Sequence, residues 1–137
     1  MEKITVENMI SAPVEKVWTT YTDPESVKKW NAASPDWHSP RAENDLRVGG
    51  EFNYRMEAKD GSEGFDFTGT YSEVVPNERI AYTMPDGRKV EVDFAPVDGG
   101  TKIKVTFDPE TQNPIEMQRE GWQSILDNFK QYCETEG

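Results

Sequence analysis

The residues able to do chemistry are few in this chain, and their scarcity is the first constraint on its function. There is one histidine, His38, and one cysteine, Cys133. An ordinary zinc site draws its three or four ligands largely from histidine and cysteine, so none is available and no cofactor is expected. A serine–histidine–acid triad would have to recruit His38, which lies between Pro35 and Pro40 in a stretch with no clear periodicity. Gly49-Gly50 and Gly99-Gly100 lack the lysine and the strand-to-helix context of a phosphate loop. Carboxylates are plentiful, yet no pair stands out from a solvated surface, and no catalytic residue is assigned. Asp66 falls on the polar parity of its segment. Glu73 shares the inward parity of Phe67 and Tyr71, unless a bulge before Val74-Val75 shifts it. Turned inward, it would be a binding or acid–base group, because burial raises a carboxyl pKa; exposure at a strand end is the plainer reading. Tyr54, Tyr71 and Tyr82 carry a different signal. All three fall on apolar parities, and a buried phenol needs a hydrogen-bond partner. They are natural polar handles for a bound molecule, although backbone or water can satisfy a phenol equally well.

Strands must position those tyrosines. Phe52, Tyr54 and Met56 alternate with Asn53 and Arg55, which predicts a strand with one aromatic face. Phe65, Phe67, Gly69 and Tyr71 share a parity in the next segment, Ile80, Tyr82 and Met84 in the one after, then Val90, Val92 and Phe94, then Ile103, Val105 and Phe107. Asp60-Gly61, Pro76-Asn77, Pro85-Asp86-Gly87 and Asp98-Gly99-Gly100 separate these runs as turns. Consecutive hairpins imply an antiparallel sheet, and one apolar face per strand implies that a single face is covered. Upstream, Ile4, Val6 and Ile10 mark a half-buried first strand. Two short helices follow, one from about Pro13 with Val14, Val17, Trp18 and Tyr21 on its apolar face. The other opens at Asp23-Pro24-Glu25, with Asp as cap and Pro at the first helical position, and runs to about Trp30. Residues 31–40 read as a loop with an irregular short strand, and weak strand signals continue from Arg41 to Val48.

The cover for the sheet is the run from Pro114 to Cys133 or Glu134. Asn113-Pro114-Ile115-Glu116 resembles a capping box, and Trp122, Ile125, Leu126, Phe129 and Cys133 recur at steps of three and four. Such a helix is roughly 30 Å long. Gly121 in its interior costs ~1 kcal/mol against Ala, for which close approach to a neighbour, or room beside the indole, is the expected reason. Gln118 and Arg119, one turn before Trp122, fit surface pairing or the mouth of a pocket.

A curved sheet wrapped around one helix favours a cavity between them. The sheet side would supply Phe52, Tyr54 and Met56, then Phe67 and Tyr71, then Tyr82, Met84 and Phe94. Trp122, Ile125, Leu126 and Phe129 would oppose them, with Trp30 and Trp37 at the mouth. The same side chains would equally make a filled core.

At 137 residues the chain reads as a single domain, 1–137. Its 15 Lys and Arg against 26 Asp and Glu give a net charge of −11, which argues against nucleic acid and anionic membrane surfaces as partners. No apolar run nears the ~20 residues that span a bilayer, and Met1-Glu2-Lys3-Ile4 has no apolar signal core. One cysteine allows no internal disulfide, so a cytoplasmic location is expected, with Cys133 a packed thiol on the helix stripe.

The order strand, two helices, sheet, long helix resembles the helix-grip fold of the START-like superfamily, an α+β architecture. Ala12-Pro13-Val14-Glu15-Lys16-Val17-Trp18 and Thr22-Asp23-Pro24-Glu25 resemble its opening helices. Asp45 to Phe52, Gly69 to Val74, and Gly121-Trp122 with Leu126 are similar to the C-terminal domain of the heat-shock-protein-ninety ATPase activator. The resemblance implies three functions. The foremost is binding of an apolar or aromatic small molecule, lipid-like or polyketide- or flavonoid-like. The second is a protein-interaction module with a chaperone as partner, although the two-domain activator engages its chaperone through a separate N-terminal domain and this chain reads as one. The third is a cyclase- or hydrolase-type enzyme, which lacks an evident acid–base pair.

Overall fold

The alternating strands form one sheet because every reversal between them is chemically specified. The computed structural model describes residues 3–32 and 34–135; Met1 and Glu2, part of the N-terminal reading above, lie outside them. The order is β1 (Ile4–Ile10), α1 (Val14–Thr22), α2 (Pro24–Trp30), β2 (Trp37–Asn44), β3 (Glu51–Ala58), β4 (Gly64–Val75), β5 (Arg79–Thr83), β6 (Lys89–Val97), β7 (Gly100–Phe107) and α3 (Ile115–Thr135). Gly87 takes φ +92° in the β5–β6 turn and Asn77 takes +65° in the β4–β5 turn, the left-handed region that Gly and Asn occupy most readily. All neighbouring strands are antiparallel, in the spatial order β1-β7-β6-β5-β4-β3-β2. The fold is the expected α+β helix grip: a curled seven-stranded sheet holding a long C-terminal helix, with two short helices after the first strand.

Burial follows parity. In β6 and β7, Val90, Val92 and Phe94 and Ile103, Val105 and Phe107 are buried, while the alternate residues face out. The α3 stripe of Leu126, Phe129 and Cys133 is buried against them, and the Cys133 thiol is fully enclosed. Burial raises its pKa, as expected of a packed rather than a reactive sulfur.

Several local expectations change. The irregular short strand expected within residues 31–40 begins at Trp37 and runs on as β2 to Asn44, short of Val48. Its register with β3 breaks between His38 and Arg41. Pro40 has no N–H to give, and β2 is an edge strand, where that loss is tolerated. Ser39 instead donates its hydroxyl to the Arg55 carbonyl at 2.8 Å. In β4 the register shifts between Tyr71 and Glu73, and this bulge turns Glu73 outward. There Arg79 donates to it at 2.8 Å and also to Asp93 at 2.6 Å. The inward acid–base reading of Glu73 is thereby removed.

The start of α3 also departs from a capping box. The first helical acceptor is the Pro114 carbonyl, which takes the N–H of Gln118 at 3.2 Å. The buried Gln118 amide clamps the preceding loop: it accepts from the Glu110 N–H at 2.8 Å and donates to the carbonyls of Glu110 and Asn113 at 3.1 and 2.8 Å. Gln118 is therefore a loop tether, neither a surface pair nor a pocket group. Arg119 pairs with Glu116 one turn away. Beside Gly121 there is open space, with nothing within 4 Å of where a Cβ would sit. Close approach to a neighbour does not explain this glycine.

Candidate functional site

Two aromatic clusters divide the space between the sheet and the helices. The first is solid. Tyr21 and Trp30 stack at 5.1 Å, and Phe129 meets them edge-on at 5.2 and 5.0 Å. Phe94 packs against Trp18 at 5.2 Å and Tyr21 at 5.7 Å. Phe94 and Phe129 are thus spent on core packing and do not reach the cavity wall, contrary to the expectation from parity. Parity gives the face of a strand or helix but not which end of it the short helices cover.

The second cluster surrounds a cavity of about 450 Å³ between the concave sheet face and α3. The sheet contributes Phe52, Tyr54 and Met56 from β3, Phe67 and Tyr71 from β4, and Ile80 and Tyr82 from β5, with Met84 just beyond. Trp122, Ile125 and Leu126 of α3 lie opposite. The rings support one another. Phe52 contacts Tyr54 at 4.8 Å and Tyr82 at 4.8 Å, and Trp122 stacks flat on Phe107 at 3.9 Å while meeting Phe67 edge-on at 6.2 Å. Gly69 makes this possible, since a Cβ there would come within 2.6 Å of the Phe52 ring and 2.8 Å of Tyr82.

Trp37 was expected at the mouth beside Trp30. Trp30 does line the wall, and its indole N–H donates to the Thr20 carbonyl at 2.9 Å. Trp37 instead packs on the exposed ring of Phe65 at 6.1 Å and contributes nothing to the lining. It stands near the register break of β2, which sequence patterning does not reveal.

The uncharged polar residues of the lining are the four tyrosines Tyr21, Tyr54, Tyr71 and Tyr82, together with Asn31, Thr22 and Thr68. Tyr71 donates to Asn44 Oδ1 at 2.6 Å, and Asn44 Nδ2 in turn donates to the Thr22 backbone carbonyl at 2.7 Å. That phenol is tied into the protein; burial nonetheless holds its pKa up at about 12. Burial raises the Tyr54 and Tyr82 phenols well above their usual range, with neighbouring phenols adding to the shift. Tyr21 is raised by the same cause, and it also lines the wall. Sequence reasoning assigned Tyr21 only to a helix face and missed Asn31 altogether. Asn31, 5% exposed, is also among the lining residues, and its Nδ2 is fully buried with no hydrogen-bond partner among the described residues. At the rim, Arg88 donates to Asp86 at 2.7 Å, and Asp66 lies 3.7 Å from Arg55 and 3.8 Å from Arg41. His38 is away from the cavity, 3.8 Å from Glu57 on the outer surface. Among the described residues no cluster of three His, Cys, Asp or Glu side chains is placed to hold a metal, and no helix is long and apolar enough to cross a membrane.

Known structures share this fold. An AHSA1-like protein of Aeromonas hydrophila is 50% identical, with 97% of this chain and 92% of that one covered and a TM-score of 0.92. A Cytophaga hutchinsonii protein is 51% identical over 96% of this chain and 92% of its own, with a TM-score of 0.84. A Chromobacterium violaceum protein is 27% identical, covers 99% and 100%, and has a TM-score of 0.85. No curated protein matches the chain. The family model described as "Activator of Hsp90 ATPase homolog 1-like protein" matches residues 11–134. With nearly the whole domain matched, the chain belongs to the Activator of Hsp90 ATPase homolog 1-like family.

Proposed function

We propose that this protein is a cytoplasmic binding module that holds an apolar or aromatic small molecule in the cavity between the sheet and α3. The observation that carries this is the cavity itself: about 450 Å³, walled by aromatic rings that support one another, with phenols and an amide in the wall. Ligand sites are typically concave, mostly apolar and a few hundred Å³ or more, with few polar groups to orient the occupant. Trp122 would meet an occupant directly, because one face of the indole is covered by Phe107 and another part borders the cavity. With a net charge of −11, nucleic acid and anionic membrane surfaces are not expected partners.

The test is a melt of the purified protein against a broad library of flat aromatic and medium-chain apolar compounds, alongside mass spectrometry of co-purified small molecules. A ligand at 100 times its dissociation constant adds ~2.7 kcal/mol of stability. That is a rise in melting temperature of roughly 5–10 °C for a domain of this size. Tryptophan emission should change with the same midpoint. A library in which nothing shifts the melt, together with clean extracts, would refute the reading.

Membership of the Activator of Hsp90 ATPase homolog 1-like family favours one other reading, a module that acts on a chaperone ATPase. It predicts that the purified protein changes the ATP turnover of an Hsp90 chaperone, and an unchanged turnover at saturating protein excludes it.

A further inference from the structure

Resting on the small-molecule reading, the geometry points to a ligand class: an apolar molecule ending in a carboxylate, its body in the cavity and its head on the terminal nitrogens of Arg88 and the Tyr82 hydroxyl. The β5–β6 hairpin places Arg88 for this. Tyr82 lies opposite Val90, and the Met84 N–H donates to the Arg88 carbonyl at 2.8 Å. Arg88 therefore continues the inward parity of Val90, Val92 and Phe94 beyond the start of β6. It stands diagonal to Tyr82, a separation that a long side chain spans. Both residues line the cavity.

The guanidinium is only partly used. Asp86 accepts from the Arg88 backbone N–H at 3.1 Å and from Nε at 2.7 Å, which closes the turn. Among the described residues the N–H groups on Nη1 and Nη2 have no hydrogen-bond partner. The Tyr82 hydroxyl has none either. The side-chain atoms that are both sealed and unpartnered are Asn31 Nδ2 and Asn53 Oδ1; the Tyr82 oxygen is not one of them. With Tyr82 only 6% exposed, that oxygen opens onto the cavity. Burial and neighbouring phenols raise its pKa, against the positive charge of Arg88, so it stays an O–H donor within the field of the guanidinium. The end of an arginine fork matches two coplanar carboxylate oxygens, and such charge-assisted bonds are roughly twice as strong as neutral ones. Asp66, the other acid of the lining, is already compensated, 3.7 Å from Arg55 and 3.8 Å from Arg41. The field of the whole chain acts in the opposite sense, since a net charge of −11 favours a cation over an anion. Preference for an anion is therefore a local signature of the Arg88 rim.

The test uses a matched set on one flat skeleton: 2-naphthylacetate, 2-naphthylacetamide and 2-(2-naphthyl)ethylammonium, titrated calorimetrically at neutral pH into the wild type, Arg88→Gln and Tyr82→Phe. The wild type is expected to bind the acetate about tenfold more tightly than the amide, and the ammonium compound more weakly than either. Arg88→Gln should cost the acetate about tenfold, the low end for a hydrogen bond to a charged group because the Arg88 side chain is 28% exposed. The amide should lose less than about twofold. Tyr82→Phe should cost the acetate about fivefold. In isotope-labelled wild type the acetate should move the Arg88 Nε–Hε resonance and the ammonium compound should leave it in place, a readout that needs no variant. An amide or ammonium compound that binds as tightly as the acetate would overturn the carboxylate assignment while leaving cavity binding intact. So would equal losses of acetate and amide in Arg88→Gln, an acetate affinity unchanged in Tyr82→Phe, or an Arg88 resonance that the acetate does not move. Failure of all three compounds to bind would overturn both.

Discussion

Truncating two aromatic residues of α3, Trp122 and Phe129, separates a cavity from a filled core without knowledge of any ligand. Phe129 is fully buried and ringed by Tyr21 and Trp30. Its removal strips contacts from every side, so Phe129→Ala should cost about 4–5 kcal/mol, at the upper end for a packed phenylalanine. Trp122 is larger but only part-buried: Phe107 covers one face, Phe67 meets an edge, and the remainder borders empty space. With about two-thirds of a ~200 Å² indole covered by protein, the lost burial is roughly 3.3 kcal/mol at ~25 cal/mol per Å². Because the void already exists, little new cavity cost is added. Trp122→Ala should therefore cost about 3–4 kcal/mol, less than the smaller ring seven residues later. Urea unfolding followed by far-UV circular dichroism measures both, with the slopes compared so that a change in the unfolded state is not mistaken for a change in stability. A Trp122→Ala cost equal to or above that of Phe129→Ala would mean the indole is packed on all sides. The cavity, and the function proposed for it, would then fail together.

Gly121→Ala should stabilise the protein by about 0.5–1 kcal/mol, because the added methyl meets nothing and the helix regains propensity; a raised urea midpoint with unchanged slope checks it. Gly69→Ala should destabilise by about 1–3 kcal/mol, since its Cβ collides with the Phe52 and Tyr82 rings, and should also weaken apolar-dye binding in the cavity. Asp108 is held below the ordinary carboxylate range by hydrogen bonds from Lys3 and the Lys89 N–H. A depressed folded pKa contributes stability above ~4, the unfolded value, and loses it as pH falls further; Asp108→Asn should make acid unfolding shallower below pH ~4. At the other extreme Tyr21, Tyr54, Tyr71 and Tyr82 are all raised by burial. Stability must then fall as pH rises above ~10, where the unfolded phenols ionise first, and most phenolate absorbance should appear together with loss of the dichroism signal.

Periodicity carried most of this architecture because it reports which face of an element meets the core. The alternation in β3, β6 and β7 and the stripe from Trp122 to Cys133 needed no tertiary information. The failures have a common physical origin in groups that answer to distant partners. Gln118 reads as an exposed polar residue until the loop at Glu110 folds back on it. Phe94 and Phe129 share parity with cavity residues, but the helices α1 and α2 fill the space in front of them. Asn31 carries no pattern at all, since a lone amide at a helix end is ordinary until the surrounding wall denies it a partner. Glu73 turned on a single inserted residue, which reverses every orientation after it.

The pairing of β1 with β7 has a consequence for how the protein comes into being. Ile4 lies opposite Phe107 and Ile10 opposite Thr101, and α3 fastens the same strand through Asn8 to Asp127 and Lys130 to the Met9 carbonyl. Within this domain β1 leaves the ribosome before every strand it must join, and it is thus among the last to find its neighbours. At ~5–20 residues per second, an apolar strand of Ile4, Val6 and Ile10 waits several seconds, unpaired and wet, while the hairpins from β2 to β7 assemble one after another. Closing so long a loop is slow compared with zipping neighbouring strands. The nascent domain is therefore most vulnerable to capture or misassociation at β1, and docking of β1 is the step that converts a preformed sheet into a finished grip.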